Sequence, residues 1–217
     1  ADFHREYDQM SVAVCTTDQI YNEFSSGLPD AAGIRNFIRM CYEKSSGGNN
    51  LKYVLLFGDG SFDNKDIRKK GYNLVPTYQS SESLSPIGSF VSDDFFVLLG
   101  PDEGGYTGLE DLGIGRIPAR TVSEASAVVA KIKSYVNADA LGKWRNVVCF
   151  IGDDGNNADG FTNLYMEQTE EIANLVNQNY PAFYADKIYF DAYRKESSSG
   201  MATYPEVNDA ISERVKE

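Results

Sequence analysis

Two kinds of periodicity alternate along the chain. Ile34, Phe37, Ile38 and Cys41 fall at i, i+3, i+4 and i+7, one apolar stripe that predicts an amphipathic helix. The run Gly47-Gly-Asn-Asn50 stops it. Tyr53-Val-Leu-Leu-Phe57 follows as an uninterrupted apolar run ending in Gly58-Asp-Gly60, the pattern of a parallel strand covered on both faces. Ser11-Val-Ala-Val-Cys-Thr16, upstream of the helix, is a shorter run of the same kind, and strand, helix and strand together predict a right-handed βαβ unit. Phe95-Phe-Val-Leu-Leu99 and Leu112-Gly-Ile-Gly-Arg-Ile117 predict two further strands. Thr121-Val-Ser-Glu124 is a capping box, and Ala125, Val128, Val129, Ile132, Tyr135 and Val136 continue it with helical spacing.

The spacing breaks over 137–142, and a second series begins, with strand 146–151, helix 162–176, strand 187–190 and helix 204–216. Alternating strands and helices predict an α/β fold with mainly parallel sheets flanked by helices. The break divides the chain into two subdomains, 1–140 and 141–217. Nothing in the sequence follows the last predicted helix, where an α/β fold normally adds another strand, so the second subdomain reads as truncated. Residues 60–92 are rich in Ser, Gly, Pro and Asn without a period. A loop of that length in a compact domain is usually functional or disordered, and the aromatic residues Phe62, Tyr72, Tyr78 and Phe90 favour a packed segment.

Composition narrows the partners. The 217 residues carry 20 Lys and Arg against 32 Asp and Glu, a formal charge of −12, with 42% hydrophobic residues. That balance argues against a nucleic-acid partner, because neutralising phosphates takes clustered basic residues. No stretch approaches the roughly 20 apolar residues of a membrane-spanning helix. The first residues have neither a basic head nor an apolar segment, so no signal peptide is expected in this stretch. The absence of an initiator Met fits a mature protein or a piece of a longer one.

Carboxylates gather after strand ends: Asp59 with Asp63, Asp93 with Asp94, and Asp153 with Asp154. Open α/β sheets bind ligands at the carboxyl ends of their strands. Asp59, Asp63, Asp93 and Asp94 are therefore candidate ligands for a structural Ca²⁺, although Asp also caps turns and helix starts with no ligand involved. Counted from Asp59, EF-hand spacing would require Gly at residue 64 and Glu at residue 70, where Asn64 and Lys70 stand, so a calcium site here would be irregular. Gly58-Asp-Gly60 and Gly113-Ile-Gly115 are not completed to a dinucleotide fingerprint, and no phosphate-loop motif exists. Cys15, Cys41 and Cys149 lie in apolar surroundings, where a thiol is expected to be buried, unpaired and inert. The single histidine, His4, lies in the polar N-terminal segment. Without a base beside a cysteine, these 217 residues are expected to be inactive as a nucleophilic enzyme.

Six stretches, in order along nearly the whole chain, resemble the gingipain-like cysteine peptidases of family C25. They are Asp18-Gln-Ile-Tyr-Asn-Glu-Phe24, Tyr53-Val-Leu-Leu-Phe-Gly-Asp-Gly-Ser-Phe-Asp63, Leu74-Val-Pro-Thr-Tyr-Gln-Ser80, Ser89-Phe-Val-Ser-Asp-Asp-Phe-Phe96, Gly113-Ile-Gly-Arg-Ile-Pro118 and Lys143-Trp-Arg-Asn146. The resemblance implies a catalytic region of two α/β subdomains, gingipain- and caspase-like, with the catalytic His and Cys after successive strands. Both would lie beyond Glu217, so residues 141–217 would be the opening half of the catalytic subdomain. Run without gaps from Cys149 to Leu175, the resemblance places the carboxylate that orients the histidine on Asp154. It places the acidic residue of the arginine-binding pocket on Tyr165, which has no carboxylate to pair with a guanidinium. The closest likeness is to the sortase-type members of the family. That likeness implies a surface enzyme of the outer membrane of Gram-negative Bacteroidetes. It would cleave C-terminal signal domains from type IX secretion cargo, attach the cargo to the cell surface, work beside the outer-membrane components of that system, and require no cofactor. The rival reading of the same sequence is a flavodoxin-like binding module that holds a metal or small ligand at its strand ends.

Overall fold

The computed structural model describes residues 1–45, 51–68, 70–82, 84–105, 107–154, 163–198 and 201–216. The chain divides into two compact units, Ala1–Val136 and Asn137–Glu217. The predicted stop at 47–50 lies outside the described residues, as does Thr162, the first residue of a predicted helix.

In the first unit, helices α1 (Asp2–Glu6), α2 (Thr17–Phe24) and α3 (Ala31–Lys44) precede strand β1 (Tyr53–Phe57). Thr16 caps α2 in a reciprocal box with Gln19, and Asp30 caps α3 through the amide of Ala32. Short strands β2 (Tyr78–Gln79) and β3 (Val91–Ser92) form an antiparallel pair, whereas β4 (Gly113–Ile117) lies parallel to β1, with Tyr53 opposite Gly113 and Phe57 opposite Ile117. Helix α4 (Val122–Tyr135) starts with half of the expected capping box: Thr121 Oγ1 accepts from the Glu124 amide, but the Glu124 carboxylate accepts from the amide of Arg120, one residue before the cap.

The core of this unit joins Ile20 and Tyr21 of α2 to Ile34 and Ile38 of α3, Leu56 of β1, Val75, Phe96, Val97, Leu99 and Leu112. Three expectations are corrected here. Residues 95–99 form no strand. Asp94–Phe96 is one turn of 3₁₀ helix closed by bonds from the Val97 and Leu98 amides to the Asp94 carbonyl, and its residues are apolar because Phe96 and Val97 are completely buried. A short apolar run records burial, not backbone geometry. The run 11–16 also forms no strand, so the expected βαβ unit is not formed; β1 pairs instead with β4, a later strand, in parallel. Finally, β1 is covered on one face only: Leu56 is buried, but Tyr53, Leu55 and Phe57 are exposed.

The second unit is built on β5 (Val147–Gly152) and β6 (Tyr184–Tyr189), parallel, with Val147 opposite Tyr184 and Gly152 opposite Tyr189. Helix α5 (Leu164–Asn179) packs on both strands, and α6 (Pro205–Arg214) packs on β6. A hairpin of β7 (Glu196–Ser198) and β8 (Met201–Thr203), which has no clear apolar alternation, precedes α6. Gly152 is where α5 comes closest to the sheet: a Cβ there would stand 3.2 Å from the Met166 backbone and 3.2 Å from the Tyr189 ring. Among the described residues of this unit, the buried apolar side chains are Ala173, Ile188 and Val207. Polar ties join the layers. Glu170 of α5 accepts from Lys187 Nζ at 2.7 Å and Tyr189 OH at 2.6 Å on β6, and Asp186 pairs with Arg214 of α6. As in β1, one face of β5 is bare, with Val147, Cys149 and Ile151 all exposed.

That bare face overturns the expected burial of the cysteines. Cys15 and Cys149 are exposed and only Cys41 is partly buried; all three are free thiols. Desolvation, more than any neighbouring charge, raises the pKa of Cys41 and Cys149 above the ordinary value.

Candidate functional site

β5 ends at Gly152, and the next two residues are Asp153 and Asp154. Asp153 turns back on the chain, its Oδ1 accepting from the Asp154 amide at 2.9 Å. Asp154 Oδ2 accepts from Lys195 Nζ at 2.7 Å and from Tyr204 OH at 2.6 Å. The three residues belong to the end of β5, the position before β7 and the position before α6. Lys195 Nζ also lies 5.5 Å from the centroid of the Tyr204 ring, and that ring packs at 5.1 Å against Phe190.

The electrostatics follow from these contacts. The Lys195 bond, then the Tyr204 bond, hold the Asp154 carboxyl below the ordinary carboxylate range. Lys195 is pushed up, first by its bond to Asp154. Tyr204 is pushed up for the same reason, because removing its proton would set an anion against an anion. Asp154 is therefore a fixed anion at neutral pH. Both donor bonds fall on Oδ2, and the neighbouring Asp153 side chain also lowers the Asp154 pKa, as the last and smallest cause. A carboxylate held in this way can orient and polarise an N–H group such as an imidazole.

Tyr165 stands in the first turn of α5 and is 60% exposed. Among the described residues, no hydrogen bond joins it to Asp154, Lys195 or Tyr204. The turn at Gly155, which Asp154 could otherwise serve as a cap, lies outside the described residues.

Three of the four carboxylates proposed as calcium ligands are occupied otherwise. Asp59 accepts from the Gly60 amide and pairs with Arg120. Asp63 caps a turn, accepting from the amides of Ile67 at 2.9 Å and Arg68 at 2.7 Å, which lower its pKa. Asp93 forms a two-pronged pair with Arg116, 2.7 Å on each side. Asp94 opens the 3₁₀ turn. Among the described residues, no three His, Cys, Asp or Glu side chains stand close enough together to hold a metal ion. This donor set does not fit calcium, because arginines and amides already hold the oxygens of Asp59, Asp63 and Asp93 that a cation would need.

Nor do the described residues bring together a nucleophile and a base. His4 sits in α1 with Nδ1 2.6 Å from Asp8 Oδ2, and none of the three thiols is hydrogen-bonded to it. Lys195 and Tyr204 were not foreseen as site residues. The only local signal was Tyr204-Pro205, a helix start with Pro at its first position, which says nothing about where the hydroxyl goes.

The second unit is thus a parallel-sheet α/β unit with a fixed carboxylate at a strand end, and comparison with known proteins gives the class. The model of peptidase family C25 matches residues 1–217, and the chain belongs to that family. Among solved structures it is similar to dimeric latent PorU from Porphyromonas gingivalis, with 27% identity and a TM-score of 0.55, over 73% of this chain and 18% of that one. It also resembles in fold the Arg-specific cysteine proteinase gingipain R (RgpB), at 21% identity and a TM-score of 0.53, over 77% of this chain and 33% of that one. No curated protein matches it. The chain thus spans about a fifth to a third of the structures it resembles.

Proposed function

We propose that these residues belong to a cysteine peptidase of the sortase kind, in which Asp154 orients a catalytic histidine supplied, with the cysteine, by sequence outside these 217 residues. The observation that carries the reading is the family match along the whole chain, and the fixed anion just past the end of β5 supports it. Cleavage would proceed by attack of a thiolate on the substrate carbonyl, giving an acyl-enzyme that is resolved by water or by an amine. Tyr165 would line the substrate pocket and, lacking a carboxylate, would not select a basic side chain. By the resemblance in sequence, the substrates are secreted proteins with C-terminal signal domains, and the enzyme acts at the outer membrane of a Gram-negative cell, transferring cargo to a surface acceptor.

The test compares the full-length protein with residues 1–217 on a panel of fluorogenic peptides. Turnover abolished by iodoacetamide in the former and absent in the latter is the expected result. Thiol-dependent turnover by residues 1–217 alone, or none by the full-length protein, contradicts the reading.

A further inference from the structure

We infer that Tyr204 and Lys195 are positioning residues for the Asp154 carboxylate, together fixing Oδ2 so that Oδ1 is presented to the histidine; this rests on the function proposed above. A free carboxylate rotates about its Cβ–Cγ bond between two broad orientations. Two donors on one oxygen remove that freedom. Tyr204 OH at 2.6 Å is a short bond to an ionised acceptor, and Lys195 Nζ at 2.7 Å is a charge-assisted one.

The donors are themselves held. The Tyr204 carbonyl accepts from the amides of Val207 and Asn208, which seats the residue at the start of α6, and the ring packs on Phe190. Lys195 is confined between the carboxylate and the face of that same ring. The hairpin β7–β8 runs between Lys195 and Tyr204 in sequence, and its antiparallel pairing of Glu196 with Thr203 brings their two neighbours to one end. A segment with no partner of its own in the sheet of β5 and β6 thereby acquires a use: it brings two donors to one oxygen.

The two residues should act differently. Tyr204 is neutral and supplies direction. Lys195 supplies charge: with Asp154 it forms a neutral pair, so an imidazole bound to Oδ1 would gain less stabilisation of its protonated form than a bare carboxylate would give. Asp153 is the other charged group at this end of β5, turned onto the backbone amide of Asp154. Loss of a group that orients a ligating or catalytic partner in this indirect way typically costs about 10–100-fold.

The experiment measures steady-state kinetics against pH for the full-length peptidase carrying Tyr204→Phe, Lys195→Met, Lys195→Arg or Asp154→Asn, with thermal unfolding to confirm that each variant folds. Tyr204→Phe should lower kcat by about 10–100-fold with KM unchanged, and should add little on top of Asp154→Asn, since coupled residues are not additive. Lys195→Met should move the limb of the pH profile that reports the imidazole to higher pH, and Lys195→Arg should restore it. Folded variants with wild-type kcat and pH profile, beside an Asp154→Asn variant that has lost turnover, overturn this inference and leave the proposed function standing. If Asp154→Asn keeps full turnover, the role of Asp154 falls and this inference with it. If the wild type shows no thiol-dependent turnover, the peptidase reading itself falls.

Discussion

Arg116 uses every donor it has. A guanidinium carries five N–H groups. Nε and Nη2 bind the two oxygens of Asp93 at 2.7 Å, Nη1 binds the carbonyls of Gly58 and Val75 at 2.9 and 2.7 Å, and Nη2 also reaches Pro76 at 3.2 Å. The side chain is only 12% exposed. It thereby ties β4 to the end of β1 and to the long segment between β1 and β2. Glycine is required beside it: a Cβ on Gly60 would fall 2.6 Å from Thr77 Cγ2. Replacing Arg116 by Met strands a half-buried carboxylate and three carbonyls, and breaking such a pair by removing one partner costs about 3–5 kcal/mol. Urea denaturation should show that loss for Arg116→Met and a smaller one for Arg116→Lys, which keeps the charge but has only three donors and no fork. Equal stability of wild type and Arg116→Met would contradict this account of the loop. In the sequence, Asp59, Asp63 and Asp93 stood out as acidic residues near strand ends, but the arginines and amides that claim them were not legible, because which cation meets which anion is decided by tertiary distance.

At the scale of elements, legibility depended on whether the signal was local. Helices α3 and α4 and strands β1, β4, β5 and β6 were readable from period and capping, since each rests on neighbours within a turn or two. The hairpins β2–β3 and β7–β8 were not: their strands are two or three residues long, too short for an alternation to register. The one-sided exposure of β1 and β5 was also hidden, because a continuous apolar run looks the same whether one face or both are covered. Asp154 was singled out only through family resemblance, and its partners lie 41 and 50 residues away in sequence. The tie between α5 and β6 makes a prediction at this scale. Bonds from Lys187 and then Tyr189 lower the pKa of Glu170 in the folded protein. Its contribution to stability is therefore fully present above the unfolded value of about 4.3 and is lost as pH falls through the lower folded value. The melting temperature of Glu170→Gln should lie below that of wild type at pH 7, and the two should converge as the pH falls below the lowered folded value. A difference that persists unchanged in acid would mean that the carboxylate's charge is not what holds α5 to β6.

At the scale of the whole molecule, two α/β units carry a family match from the first residue to the last, and in the second unit Asp154 is a strand-end anion held by Lys195 and Tyr204. The acidic composition, with a formal charge of −12, argues against nucleic acid as a partner but gives no hint of peptidase chemistry, which in the function proposed above rests on one carboxylate and on groups outside these residues. The account therefore turns on what that carboxylate does. The most direct test is the turnover of the full-length protein carrying Asp154→Asn, which keeps the side-chain shape and removes the charge. The serine-protease precedent sets an upper bound of about 10⁴ for such a loss, and a thiolate, being the stronger nucleophile, needs less help. A fall in kcat of about 10²–10³ in a variant that melts like wild type is the predicted result. Unchanged turnover would contradict the role given to Asp154.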